Sequence, residues 1–321
     1  MNFHILISNL TNPTLLFFLL GIVAVMLKSD LEIPSASSKF ISLYLLFAIG
    51  FKGGQELSHS NYDSQIVYSL IFGLLIASII PLYTFFILKQ KLNISDSGAV
   101  AAAYGSVSAV TFVAAVSFLE NQKINYGGHM VAVMALMESP AIIMGVILLK
   151  KYDLENQNGK NLAETIKHSF TNGSVLMILG SLIIGIIADT KQAEGIKPFT
   201  TDIFKGFLAI FLLDMGIVAA KRFSAFKKYG WFATLFALII PLFNGCLIAL
   251  ISGFVIHDVG NRFIFSILAA SASYIAVPAA MRLAAPKADP GLYLPMALGV
   301  TFPFNITIGM PLYFLIVENI K

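Results

Sequence analysis

The amino-acid sequence predicts an all-α integral membrane protein of about ten transmembrane helices, arranged as a 5+5 repeat of inverted topology with two broken helices, spans four and nine. Three observations carry this reading. Hydrophobic residues make up 57% of the 321 residues and charged ones 12%, against about 45–50% and about 25% in soluble globular chains. So few charges cannot cover a water-exposed surface. Apolar stretches recur at the length a bilayer demands, about 20 residues per helix. Three patches of the first half also return in the second, at a nearly constant offset of 163 to 166 positions.

Taken in order, spans are expected at 12–28, 36–57, 65–89, 97–119, 127–149, 169–188, 203–220, 229–256, 263–285 and 290–317. Ser64–Leu88 and Tyr229–Ile256 hold no charge at all. The second and seventh are shorter: Phe40–Phe51 is the uncharged part of one, and Asp214 interrupts the other. A polar connector, Lys150–Gly173, separates the halves, giving a first repeat over 1–152, a linker over 153–168 and a second repeat over 169–321. The repeated patches place Gly50 opposite Gly216, the run from Tyr104 opposite that from Ala269, and MESPA at Met137 opposite TFPFN at Thr301. Five spans per half, an odd number, make the second copy enter from the opposite side. That inversion characterises secondary transporters.

The connectors 1–2, 3–4, 5–6, 7–8 and 9–10 carry 14 Lys and Arg, and the other four with the C-terminal tail carry 7. The positive-inside tendency then puts the first set in the cytoplasm and both termini outside, in a cell (inner) membrane. No basic segment precedes the first apolar stretch, since the first Lys is Lys28, so a cleaved signal peptide is not expected. Cys246 is the single cysteine, so no intrachain disulfide forms. A net charge of +4, scattered along the chain, gives no sign of a nucleic-acid partner.

Spans four and nine each run into small and hydroxyl residues: Gly105, Ser106, Ser108, Ala109 and Thr111 in one, Ser271, Ser273 and Tyr274 in the other, with Pro278 beyond. Ser, Gly and Pro ease unwinding, and unwound backbone at membrane depth is tolerated only where it lines a protein-enclosed or watery cavity. Small residues also serve close helix packing, but a pair at matching positions of an inverted repeat points to the binding site. Two half-helix N-termini facing each other offer about one positive unit without Lys or Arg. That suits a small monoanion held by amides and hydroxyls, and the oxygens of Ser108, Thr111 and Ser273 suit Na+ as a coupling ion.

Glu138 and Asp214 are intramembrane acids, each costing about 2.5–3.5 kcal/mol on insertion scales, and are read as ion-coupling candidates with Asn305 beside them. Packing with a partner or a proton is the alternative for each acid. His4, His59, His129, His168 and His257 lack metal-ligand spacing. No phosphate-cradling glycine loop and no G-x-S-x-G elbow occurs, so neither ATP hydrolysis nor hydrolase chemistry is expected, and no cofactor either. Gly53 and Gly54 either pack closely or end the second span.

With these residues in view, the chain resembles the sodium-dependent bicarbonate transporter family. The likeness runs through NPTLLFFLLG, GFKGG, GSVSAVTFVAAVSFLE, MESPA and ASASYIAVPAAMRLAAPKADPGLY. It implies a core (transport) and a gate (scaffold) domain into which the repeats intertwine, a homotrimer, elevator-like alternating access and bicarbonate uptake driven by Na+. Ser106, Ser108, Thr111, Ser271 and Ser273 match its serine-rich breaks, and Glu138 stands where members carry an acid. The second break departs from the family: members continue into Asp, Ser, Gly, Pro, Pro, whereas Tyr274 to Pro278 stand here. The missing acid and hydroxyl bear on bicarbonate specificity and Na+ stoichiometry. The short central linker, against the long insertion of some members, weighs against a PII-like regulatory partner without excluding it. The alternatives are an H+- or Na+-coupled carrier of another small (organic) anion, and a non-transporting membrane sensor keeping the fold.

Overall fold

The computed structural model describes residues 11–59, 64–152, 173–226 and 230–319. The linker expected over 153–168, and the first residues of the sixth expected span, lie outside them. Among the described residues every regular element is helical. Six stretches are long and apolar enough to cross a membrane: Ser64–Leu88, Ile94–Gln122, His129–Tyr152, Thr190–Arg222, Gly230–Phe254 and Pro290–Asn319. The chain is therefore a multi-pass helical membrane protein.

In chain order the helices are α1 (Pro13–Met26), α2 (Ser35–His59), α3 (Ser64–Leu88), α4 (Ile94–Gly105), α5 (Ala109–Gln122), α6 (His129–Tyr152) and α7 (Gly173–Ile187). There follow α8 (Thr190–Lys197), α9 (Phe204–Phe226), α10 (Gly230–Ile251), α11 (Val259–Ala269), α12 (Ala276–Ala284), α13 (Pro290–Pro295) and α14 (Met310–Asn319). The helix expected to start at 203 is extended backwards by α8 and a wide turn over Pro198–Asp202. Helices α1, α7 and α11 are apolar but short. Helix α2 is long but dilutes its apolar run with Lys52, Gln55 and Glu56, and it continues through Gly53 and Gly54 to His59.

Glycines set two close helix crossings. A Cβ on Gly21 of α1 would overlap the Leu213 carbonyl oxygen of α9, and one on Gly216 of α9 would overlap the Phe18 carbonyl oxygen of α1. In the same way Gly54 of α2 faces the Leu182 carbonyl oxygen, and Gly185 of α7 faces that of Phe51. Small residues at such crossings let backbones approach and gain van der Waals contact, which drives association where lipid removes the hydrophobic term. Gly53 and Gly54 therefore serve packing. Elsewhere α3 packs on α4 and α6, and α10 on α11 and α14.

Two hydrogen bonds tie the start of α4 and of α11 to distant loops. The Asp96 carboxylate accepts from the Asp289 amide at 2.7 Å, and the Asn261 side-chain oxygen accepts from the Gly127 amide at 2.7 Å. Positions 96 and 261 differ by 165, the offset of the sequence patches. Pro241, lacking an N–H, cannot satisfy the Ala237 carbonyl four residues back. The Thr301 hydroxyl donates to it at 2.7 Å, inside the wide-turned segment Met296–Thr301 that continues α13.

The glycine crossings give a test with opposite signs. Gly54→Ala and Gly21→Ala force backbone apart at an overpacking cost of about 1–3 kcal/mol. Gly206→Ala meets nothing within 4 Å and is neutral or stabilising through helix propensity. Melting temperatures in detergent should fall for the first two and hold or rise for the third.

Candidate functional site

The centre of the molecule is built where two helix interruptions cross. Helix α4 stops at Gly105, pressed so closely on Pro81 of α3 that a Cβ would collide with the proline ring. Ser106 is extended (φ −84°, ψ 176°). Ser108 is also extended (φ −104°, ψ 111°) and caps α5, its hydroxyl accepting from the Thr111 amide at 3.1 Å. An N-cap serine satisfies one of the free amides that open a helix, so the residue type explains why the chain re-enters helix here.

The second interruption runs from Ala270 to Ile275. Its Ser271 hydroxyl donates to the Leu268 carbonyl at 2.8 Å and accepts from the Ser108 amide at 3.0 Å. The Ser273 amide donates to the Ala103 carbonyl at 2.8 Å. Each interruption thus supplies the partner that the other lacks. The Ser273 hydroxyl also accepts from the Val277 amide at 3.4 Å. Helix α12 starts only at Ala276, however, with Ile275 at the cap position, so Ser273 lies further from its helix than Ser108 does from α5. Pro278 falls in the first turn of α12, where a missing N–H costs nothing.

Beside the crossing lies a cavity of about 20 Å³, room for a single water-sized group. Ser108, Ala109, Glu138, Ser273 and Tyr274 line it, together with Leu46 of α2 and Ser174 and Ile178 of α7. Glu138 makes no hydrogen bond or ion pair with another described residue. The Tyr274 hydroxyl is buried and directed toward Ser108, without a geometrically complete hydrogen bond. No Lys or Arg is among the lining residues.

The other expected residues surround this cavity or stand apart from it. Gly105, Ser106 and Ser271 belong to the crossing itself, and Thr111 is buried in the first turn of α5. The Ser106 hydroxyl is buried without a partner. Asn305 sits beneath the second interruption, donating from its amide group to the Ala270 carbonyl at 2.7 Å. Asp214 of α9 lies elsewhere: Ser38 of α2 donates to its carboxylate at 2.5 Å. Asn244 of α10 was not among the expected residues, yet it donates to the Ala269 carbonyl at 3.2 Å and is itself held by the Tyr83 hydroxyl. An asparagine inside an otherwise charge-free span was the available signal.

As to what the cavity could hold, no cluster of three or more His, Cys, Asp or Glu suited to a metal ion occurs among the described residues. A hard monovalent cation needs oxygen instead. The Ala103, Ala269 and Ala270 carbonyls each accept from a protein donor, and the cavity adds hydroxyl oxygens and the Glu138 carboxylate. An anion would meet the Ser108 and Ser273 hydroxyls and the amides that follow.

A sequence model of the Na+-dependent bicarbonate transporter superfamily matches residues 13–318. No curated protein matches the chain.

The crossing predicts the effect of Ser271→Ala. It leaves the buried Ser108 amide unpaired at a cost of about 1–3 kcal/mol, so the melting temperature should fall, and Ser271→Thr should restore it. A parent-like melting temperature for Ser271→Ala would mean that the two interruptions do not depend on each other.

Proposed function

The chain belongs to the Na+-dependent bicarbonate transporter superfamily, and from that membership we propose that it is a secondary active importer of a small anion, bicarbonate, coupled to Na+. The observation that carries the reading is the meeting of Ser108, Glu138, Ser273 and Tyr274 in one cavity at the crossing. In this proposal α4 with α5, and α11 with α12, act as single broken spans of a 5+5 inverted repeat. The equivalent ties of Asp96 and Asn261, 165 positions apart, support that symmetry.

Helices α1, α2, α7 and α9 form the gate domain, joined by the glycine crossings, and the remaining spans form the core. The cavity is lined by residues of α2 and α7 together with residues of α5, α6 and the second interruption, which supports elevator-like movement of the core against the gate. Its small volume corresponds to a closed site that separates to admit substrate. The positive-inside count supports both termini outside, in a cell (inner) membrane. The homotrimer implied by the resemblance stays part of the proposal.

Glu138 supplies the coupling. A bicarbonate ion about 5 Å from an ionised carboxylate is repelled by about 3 kcal/mol at an effective dielectric constant of 20. No lining Lys or Arg offsets this. A cation bound between Glu138 and the anion removes the penalty, with hydroxyl oxygens of Ser108 and Ser273 completing its shell. The buried, unpartnered Ser106 hydroxyl is a reserve donor for the anion as the crossing opens. Tyr274, a neutral phenol, narrows the site where members carry an acid.

The test is uptake of labelled bicarbonate into proteoliposomes. An inward Na+ gradient should accelerate uptake by the parent. Glu138→Gln should weaken Na+ dependence at least tenfold, since about 1.4 kcal/mol is one decade and the repulsion removed exceeds that. Uptake driven by a pH gradient alone would replace Na+ by H+ as the coupling ion. No uptake under either gradient would reject the proposal.

A further inference from the structure

A second cavity, of about 800 Å³, lies apart from the one at the crossing. It opens where the ends of α2 and α5 and the loop after α5 meet the start of α9, and six of its lining residues are Lys52, Glu56, Glu120, Lys123, Tyr126 and Lys205. Helices α2 and α5 line both cavities: Leu46 and Ala109 the small one, Ile49 and Val116 the large one. The large cavity therefore lies about one helical turn from the small one along α2 and about two along α5.

Its charges are arranged around one carboxylate. Lys52 of α2 donates to Oε1 of Glu120 at 2.8 Å, and the ammonium of Lys205, on α9, lies 3.7 Å from Oε2. Lysines from two helices thus hold the two oxygens of one planar O–C–O group. All three side chains are reached by solvent, at 35%, 29% and 55% relative exposure for Lys52, Glu120 and Lys205. Lys123 caps α5 in the left-handed conformation (φ 58°) and lines the same space. The three lysines outnumber Glu56 and Glu120. The Tyr126 hydroxyl is buried without a partner on the cavity wall.

Such an ion pair adds little to stability, because exposed pairs contribute about 0–1 kcal/mol. The same weakness makes it exchangeable. A lysine ammonium is a compact point charge on a flexible stem and accepts any well-placed anionic oxygen. An anion with the same planar O–C–O unit can take the place of the Glu120 carboxylate between the two lysines without any change in their number or position.

We propose that Lys52 and Lys205 form a capture site for the anion on its way to the crossing, with Glu120 as a built-in occupant that the incoming anion displaces. The ligand class is the small planar carboxylate-like monoanion, bicarbonate or formate. The assignment rests on the transport reading above for its direction, but its binding chemistry is independent of that reading. Glu120 is a positioning residue that competes with the anion, and this sets the sign of its variants.

The experiment measures the KM of bicarbonate uptake in proteoliposomes at low ionic strength, where such charges are least screened. Glu120→Gln removes the competitor and should lower KM roughly threefold or more, whereas Lys52→Gln and Lys205→Gln should raise it by a similar factor. These effects should fall on KM more than on kcat and fade at high salt. A purely structural pair would impair all three variants in the same direction. An unchanged or raised KM in Glu120→Gln overturns the proposal. If the parent moves no bicarbonate, the transport reading fails, and a melting-temperature titration with formate in detergent still decides the capture site. Formate should stabilise Glu120→Gln more than the parent and Lys205→Gln less; equal shifts in all three overturn it.

Discussion

Hydrocarbon offers no hydrogen bonds, so every backbone N–H and C=O at membrane depth must find its partner inside the protein. A helix interrupted there frees carbonyls on one side of the gap and amides on the other. The two interruptions answer each other. The Ser108 amide takes the Ser271 hydroxyl, and the Ser273 amide takes the Ala103 carbonyl. The carbonyls of Ala269 and Ala270 are covered by Asn244 and Asn305, reaching in from α10 and from the segment before α14. The polar side chains in these apolar helices are placed by this demand, and the site follows from it. Amides and hydroxyls gathered to satisfy the backbone are the groups that can hold a small ion.

The crossing is not perfectly symmetric. Ser271 bridges the Ser108 amide and the Leu268 carbonyl. Its counterpart 165 positions earlier, Ser106, has no partner, and the Ala103 carbonyl accepts from the Ser273 amide instead. A buried hydroxyl left unpaired costs about 1–3 kcal/mol. The surrounding helices fall into a similar division. The glycine-packed pairs of α1 with α9 and α2 with α7 press backbone against backbone. The cavity, by contrast, is bordered by side chains such as Leu46, Met134 and Ile178.

The helical membrane fold was legible from composition and apolar spacing, because a bilayer imposes its length on every segment. The serine-rich interruptions were legible because hydroxyl and small residues stand out in apolar sequence, and because they recur at a fixed offset. Glu138 was legible as an acid in an apolar span, and it lines the cavity. Asp214 carried the same signal but meets Ser38, 176 positions away, a pairing that no local pattern encodes. The contribution of α7 to the cavity wall was hidden for the same reason: Val175 and Ile178 are ordinary apolar residues whose position comes from Gly54 and Gly185 meeting. Lys52 and Lys205 entered the sequence reading only as charges that set orientation, and Glu120 was not singled out. Their convergence on one space depends on how α2 and α5 end and α9 begins.

The central claim is that Ser108 and Ser273 face one shared anion. Its most direct measurement is the rate at which a small thiol reagent labels Ser108→Cys and Ser273→Cys, each in a Cys246→Ala background, with and without bicarbonate in the presence of Na+. A common site predicts that bicarbonate slows labelling at both positions over the same concentration range. Labelling rates that ignore bicarbonate at both positions, or that change at one position alone, would contradict it.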